Sequence, residues 1–344
     1  MRSIFSTCLM LFTFVALCQE SPLETAVWTK VDANTKSSLR GLSLPSSRIV
    51  WASGTENTVI LSTDKGESWK TFIVGPPETS YDFRDIWAFD SKTAWIMGAG
   101  PGKTSAIFVT RNGGDTWRQE HSNRLDNAFF DGFTFWSKRK GLIYSDPVDG
   151  VFYLLKREGK SWEKLDAEMP PALPKEASFA ASGTGIFARG SNVWFGSGGA
   201  EVARVFRSEN KGETWAVSET PLRAGDGAAG VFSLAFRDDL NGVAVGGKYN
   251  DPTDPSKCAA YTSDGGVTWT LASEGPRGFR SCVTYVPGRD NMLICGGTSG
   301  ADYSLDDGRT WLPLGDETIN TLKAANKHIA WAVGPEGNVV KLTF

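Results

Sequence analysis

The sequence predicts an all-β chain folded as a seven-bladed β-propeller of four-stranded antiparallel blades, and three observations carry that expectation. The first is a repeated turn: 62–69 (STDKGESW), 110–117 (TRNGGDTW), 208–215 (SENKGETW), 262–269 (TSDGGVTW) and 304–311 (SLDDGRTW), with a worn copy at 155–162 (LKREGKSW). Its tryptophans stand 42 to 54 residues apart, a period that belongs to propellers. The second is the alternation of apolar or small residues with polar ones between turns, at the period of half-buried strands. The third is a mismatch in number: seven second strands but six tryptophan turns. Residues 26–31 (AVWTKV) read as an orphan fourth strand that completes the last blade, with Trp28 in the place of Trp69. Such closure removes exposed strand edges.

The chain opens with Arg2 and an apolar run from Ile4 to Leu17, then turns polar at Gln19. That run is short for a membrane span and fits a secretory leader. Residues 1–18 are therefore expected to be a cleaved signal peptide and residues 19–344 a single propeller, secreted or periplasmic. Lipidation of Cys18 is the alternative. No transmembrane span is expected, and a monomer is.

Within each unit the same parts follow in order. Inner strands are expected over 39–44, 83–89, 130–136, 179–187, 231–236, 279–285 and 319–324. Second strands are expected over 49–54, 93–98, 141–145, 192–196, 242–246, 292–296 and 329–334, most ending in Gly or another small residue. A third strand runs into the repeated turn, and the fourth starts at its Trp. In the turn, Asp64, Asn112, Asn210, Asp264 and Asp306 hold one position. An Asx side chain there accepts backbone N–H bonds, and the Gly two residues later takes positive φ. Asn in two copies and Arg157 in the worn one argue for a fastener over a catalytic or metal loop. Two connections are long: 163–178, which is Pro-rich, and 248–257.

A formal charge of −3 and the lack of a basic tract predict neither nucleic-acid nor anionic-membrane binding. Past the leader only Cys258, Cys282 and Cys295 remain, so at most one bridge forms. Cys282 and Cys295 fall on adjacent strands and are the pair a bridge would join; buried free thiols are the other expectation. With two histidines, His121 and His328, a zinc site or a His-based triad has little to be built from. No cofactor motif is found, and none is expected.

Candidate chemistry gathers where the inner strands begin, around one mouth of the central channel. Arg40, Arg84 and Arg280 are read at matching positions of blades one, two and six, with Asp131 in that place in blade three. Converging guanidiniums call for carboxylates or an anionic ligand. Asp85, Asp131 and Glu176 are the candidate internal compensators, and a protein partner or an anionic, carboxylate-bearing ligand, a glycan included, is the alternative. Asp146 and Asp149 suit calcium with backbone carbonyls, and equally a Pro-Val-Asp-Gly turn.

The turn S/T-x-D/N-x-G-x-T/S-W resembles the Asp-box, or bacterial neuraminidase repeat. Sialidases are among its bearers, which implies an alternative function as a glycoside hydrolase. Ser47-Arg48-Ile49-Val50 echoes the sialidase F/Y-R-I-P motif but lacks its Pro, and none of Tyr81, Tyr144 and Tyr249 stands beside a matching Glu. A closer resemblance, over nearly all of residues 19–344, is to photosystem II stability/assembly factor-like propellers and their secreted bacterial relatives, some labelled oxidoreductases. It is carried by 38–41 (SLRG), 51–54 (WASG), 82–86 (DFRDI), 145–150 (SDPVDG), 182–184 (SGT) and 245–247 (VGG), together with the repeated turns. The resemblance implies a non-catalytic assembly or binding protein.

Overall fold

The structure is a computed structural model that describes Leu23 and residues 26–344. The expected leader, residues 1–18, and its expected cleavage site lie outside the described residues. Among those residues there are seven four-stranded antiparallel sheets. Blade one runs Leu39–Ser46, Ile49–Gly54, Thr58–Ser62 and Lys70–Ile73, and blade two Phe83–Ala88, Ala94–Gly98, Ala106–Thr110 and Arg118–Ser122. Blade three is Phe130–Ser137, Lys140–Val148, Val151–Glu158 and Ser161–Lys164; blade four is Ile186–Arg189, Asn192–Gly196, Ala203–Ser208 and Ala216–Thr220. Blade five is Ala229–Phe236, Gly242–Lys248, Ala259–Thr262 and Thr270–Leu271, and blade six Cys282–Tyr285, Leu293–Gly297, Gly300–Ser304 and Leu312–Gly315. Blade seven takes Thr321–Asn326, Ile329–Val333 and Val339–Thr343 from the end of the chain and Val27–Val31 from its beginning. Val27 pairs with Thr343 and Val31 with Val339, so the orphan strand closes the ring.

The core is a ring of interfaces between blades. Each second strand buries residues on both faces, as in Ala94–Gly98, where every residue is buried. Trp51, Trp95 and Trp331 sit in matching second strands and are almost wholly buried. Two of them pack against the tryptophan of a repeated turn, Trp51 6.2 Å from Trp117 and Trp331 5.9 Å from Trp69, both edge to face, and Trp95 packs against Phe135 of the next blade's inner strand at 5.2 Å.

The five good turns share one hydrogen-bond pattern. Ser62 Oγ donates to Asp64 Oδ1 (2.8 Å) and accepts the Gly66 N–H (2.9 Å), while Asp64 Oδ1 accepts the Ser68 N–H (3.0 Å). Thr262, Asp264, Gly266 and Thr268 repeat it at 2.8, 3.0 and 2.9 Å. Gly66 has φ +86°, and a side chain there would run into the Trp331 ring of the neighbouring blade. The turn therefore fastens one blade to the next. Asp264→Ala removes an acceptor of several local bonds and should cost on the order of 1 kcal/mol, read as a lower urea midpoint with peptide binding unchanged.

In the worn copy Arg157 replaces the Asx residue. It is buried and forms two hydrogen bonds to Glu120 of blade two, Nε–Oε2 3.2 Å and Nη2–Oε1 3.0 Å. Trp95 and Trp162 donate to the same carboxylate. A buried ion pair takes over the fastening there. Cys258, Cys282 and Cys295 are all free and buried, so no bridge joins Cys282 to Cys295.

Two inner strands are shorter than expected. Blade four's begins at Ile186, and blade six's at Cys282. The reason in blade four is that residues 181–184 leave the sheet and cross the channel. Ser182 Oγ donates to the Ser281 carbonyl of blade six (2.7 Å), Thr321 Oγ1 of blade seven donates to the Ser182 carbonyl (3.1 Å), and Thr184 and Ser233 hydroxyls meet at 2.7 Å. These bonds satisfy backbone that has no strand partner. The segment plugs the channel and makes one mouth a closed cup.

Candidate functional site

The cup is a cavity of about 550 Å³ to which all seven blades contribute. A local irregularity in the inner strands builds its rim. Leu39 pairs with Gly54 and Gly41 with Ser53, so Arg40 between them has no partner. Arg84, Asp131 and Phe232 are skipped in the same way in blades two, three and five. A bulge of this kind re-aims a side chain, and all four residues line the cavity.

Arg40 and Arg84 form the cationic wall. Arg84 Nε donates to Asp82 Oδ2 at 2.7 Å and its Nη1 to the Ala180 carbonyl, one residue before the plug (3.4 Å). Arg40 Nε is buried without a hydrogen-bond partner. Burial, then the charge of Arg84, holds the Arg40 guanidinium below its usual pKa, against the pull of Asp82.

Blade three supplies an acidic wall. Asp131 is 2% exposed, and neither carboxylate oxygen has a hydrogen-bond partner. Burial, then the negative charge of Asp146, pushes its pKa well above the ordinary range, and Arg84 opposes the shift. Asp146 accepts the Ser178 N–H (2.8 Å) and is pushed up by burial to about 6. Asp149 and Gly150, at φ +54° and +82°, make the two-residue turn between Val148 and Val151, the geometry of a tight hairpin. Asp149 and Gly150 are therefore the turn, and Pro147 and Val148 end the strand before it. Phe179, Phe232, Phe279 and Tyr249 complete the cup with an aromatic wall: Phe179 stacks on Phe232 at 3.8 Å, and Phe279 meets it edge-on at 4.7 Å.

The structure separates the other candidates from this mouth. Asp85 lies behind the plug, against Gly183, and accepts the Ile86 (2.8 Å) and Phe133 (3.0 Å) N–H groups. Burial pushes its pKa up to about 7, against the charge of Lys323 and these two N–H bonds. It does not compensate Arg84, because successive residues of an extended chain face opposite ways; Asp82 does. Glu176 is buried against Arg204 of blade four, accepting from Arg204 Nε (2.8 Å) and Nη2 and from Ser197 Oγ (2.6 Å). It pins the 163–178 connection to its blade.

Arg280 is out of the register expected for it. A side chain at Gly54 would strike the Ser38 carbonyl and Leu39 Cα, and one at Gly297 the Phe279 carbonyl and Arg280 Cα. Arg280 thus corresponds to Leu39, and Ser281 takes the rim position of Arg40. The Arg280 side chain is wholly buried, held by Asp302, the Phe279 carbonyl (2.8 Å) and Ser299 Oγ (2.9 Å). Two mouth arginines remain, not three.

Sequence reasoning missed Asp82 and the aromatic wall. Asp82 was findable, since residues two apart in an extended segment share a side. The wall was not, because the irregular 179–185 segment and the 248–257 connection position half of it. That connection is tied to blade six by the Pro252 carbonyl, which accepts from Phe279 N (3.0 Å) and Ser299 Oγ (2.7 Å).

The raised pKa values make a prediction with a definite sign. A carboxyl whose folded pKa is raised stabilises the fold fully below its unfolded pKa of about 4 and loses that contribution as pH rises through the folded value. For Asp146 and Asp85 the loss runs from about 4 to about 6 and about 7. Asp131→Asn removes one such group without breaking a hydrogen bond, so it should raise Tm more at pH 7.5 than at pH 4.5. An equal shift at both pH values would contradict the assignment.

No protein-family model matches the chain. No curated protein matches it either. Solved structures do. YCF48 bound to D1 peptide superposes with a TM-score of 0.65 at 15% identity, covering 92% of this chain and 97% of that one. YCF48 from Cyanidioschyzon merolae gives 0.65 at 15%, over 92% and 98%. U3-55K gives 0.59 at 14%, over 92% and 98%. At these identities the likeness establishes the propeller architecture over nearly the whole chain, and nothing about its use.

Proposed function

We propose that this chain is a secreted, non-catalytic propeller that binds a carboxylate-bearing segment of a protein partner in the cup, in the manner of an assembly factor. The observation that carries the reading is the pair Arg40 and Arg84, aimed into one cavity, with the carboxylate of Asp82 bonded to Arg84 and Arg40 Nε left without a partner. A planar guanidinium is suited to a carboxylate fork. A fold of the same architecture is known bound to a peptide, which supports a peptide as the occupant. Secretion rests on the leader at residues 1–18.

Arg84 is about a third exposed, so its bond to a ligand carboxylate is of the charged but partly solvated kind, worth about 1.5–3 kcal/mol, roughly ten- to a hundredfold in affinity. Octapeptides with free C-terminal carboxylates, measured by fluorescence anisotropy, provide the test. Arg84→Gln should weaken them by that factor and raised salt should weaken them further, whereas Arg309→Gln, in the blade-six turn, should leave them unchanged. Equal affinity for carboxylate and amide peptides would overturn the reading.

The acid pair Asp131 and Asp146 favours one second reading, since a glycosidase uses two carboxyls, one kept protonated. Turnover of aryl glycosides that disappears in Asp131→Asn would carry it.

A further inference from the structure

The cup holds two opposed sets of unused polar atoms. On one wall Arg40 Nε is buried without a partner; on the other both oxygens of Asp131 are. Buried polar groups in folded proteins are almost always bonded, and each exception calls for an explanation. Asp131 is nearly inaccessible yet lines the cavity, and no ion pair joins it to Arg84 among the described residues. A purely anionic ligand would offer the two oxygens of Asp131 no donor. A purely cationic one would meet the two arginines. Only an occupant with both signs leaves neither wall opposed.

We propose that the cup seats a peptide segment carrying adjacent opposite charges, a carboxylate against Arg40 and Arg84 and a lysine or arginine side chain against Asp131. The inference rests on the reading of the cup as the binding surface and adds the class of segment it selects. The aliphatic stem of a long basic side chain has the aromatic wall of Phe179, Phe232 and Tyr249 to lie on, and Tyr249, half exposed, stands at the opening.

Seating a cation also moves a proton. Asp131 is faced by Asp146 and Tyr144 of its own blade and by Arg84 of blade two, and burial raises its pKa well above the ordinary carboxyl range. An arriving ammonium favours the carboxylate and lowers that pKa again, so the proton the carboxyl gives up on pairing goes to buffer. A merely structural Asp131 would release none.

A positional-scanning library of N-acetylated octapeptides with free C-termini, bound to the full chain, is the probe. The expected result is selection of Lys or Arg within a few residues of an acidic group. Acetylating that lysine should weaken binding roughly tenfold or more in the wild type and not in Asp131→Asn. Titration calorimetry in two buffers of different ionisation enthalpy should show proton release for the wild type and none for Asp131→Asn. Asp146→Asn supplies the same comparison should Asp131→Asn fail to fold, with a reduced effect of acetylation expected. Selection of acids with no basic partner, or indifference to acetylation, would overturn this inference and leave the carboxylate reading standing. Free lysine competing as well as the peptide would overturn the assignment to a peptide. Loss of the carboxylate preference, or no binding above an Arg40→Gln/Arg84→Gln double variant, would overturn both.

Discussion

Removal of residues 26–32 is expected to abolish the cooperative fold or to convert the chain into an aggregating species. The deleted strand Val27–Val31 pairs along its whole length with Val339–Thr343, and without it that strand becomes a naked edge. The loss is not mainly of buried surface, since Val27, Thr29 and Lys30 are exposed. It is the loss of a ladder and of ring closure. Trp28 adds a bond from Nε1 to the Leu314 carbonyl of blade six (3.2 Å) and covers Gly315 with its ring, so the strand also welds the last two blades. An unpaired edge of this kind is a template for pairing with another chain. Light scattering and thermal melts of the truncated chain read the outcome, and a synthetic peptide of residues 26–32 added in trans should restore part of the lost stability. A truncated chain that stays monomeric with an unchanged Tm would refute closure by this strand.

Asp302→Ala should damage the fold more than any substitution in the cup or the turns. Its carboxylate is 1% exposed and serves two guanidiniums, Arg280, wholly buried, and Arg277 (Nε to Oδ1, 2.9 Å). Removing one partner of a buried pair leaves an uncompensated charge and costs about 3–5 kcal/mol. Replacing both members by apolar residues, Arg280→Met with Asp302→Leu, should recover much of that loss, because the cost lies in the orphaned charge more than in the missing attraction. Urea unfolding of the single and double variants measures the difference. The double variant should bind octapeptides as the wild type does. A loss of peptide binding with stability intact would return Arg280 to the mouth.

The fold was legible because its signals are local and repeated. The turn needs a hydroxyl, an Asx, a Gly and a Trp at fixed offsets, and each residue type has one physical job there, as the bonds among Ser62, Asp64 and Gly66 show. Closure was legible from a number, seven second strands against six turns. The mouth was legible only where strand register could be read by eye. Arg40, Arg84 and Asp131 follow an apolar residue that pairs with the end of the second strand, and they fall into place. Arg280 was misread because Phe279-Arg280 imitates Phe83-Arg84 while standing one position earlier in its blade, and a one-residue slip turns a side chain from the channel into the blade. Glu176 was misread because its role depends on Arg204, 28 residues away, and on a connection with no periodic pattern. The plug at Ser182–Gly183–Thr184 was visible as residues but not as a structure, since its bonds reach Ser233, Ser281 and Thr321 of three other blades.

The outer surface offers a competing site, a groove of about 1240 Å³ between blades two and three, lined by His121, Arg124, Tyr153 and Met169 among others. Hydroxyl-radical footprinting of the full chain with a selected octapeptide bound decides between it and the cup. The account predicts protection of Tyr249 at the opening of the cup and of Phe129 and Phe179 in its wall, with Tyr153 and Met169 as reactive as in the free chain. Protection of Tyr153 and Met169 with Tyr249 unchanged would contradict it.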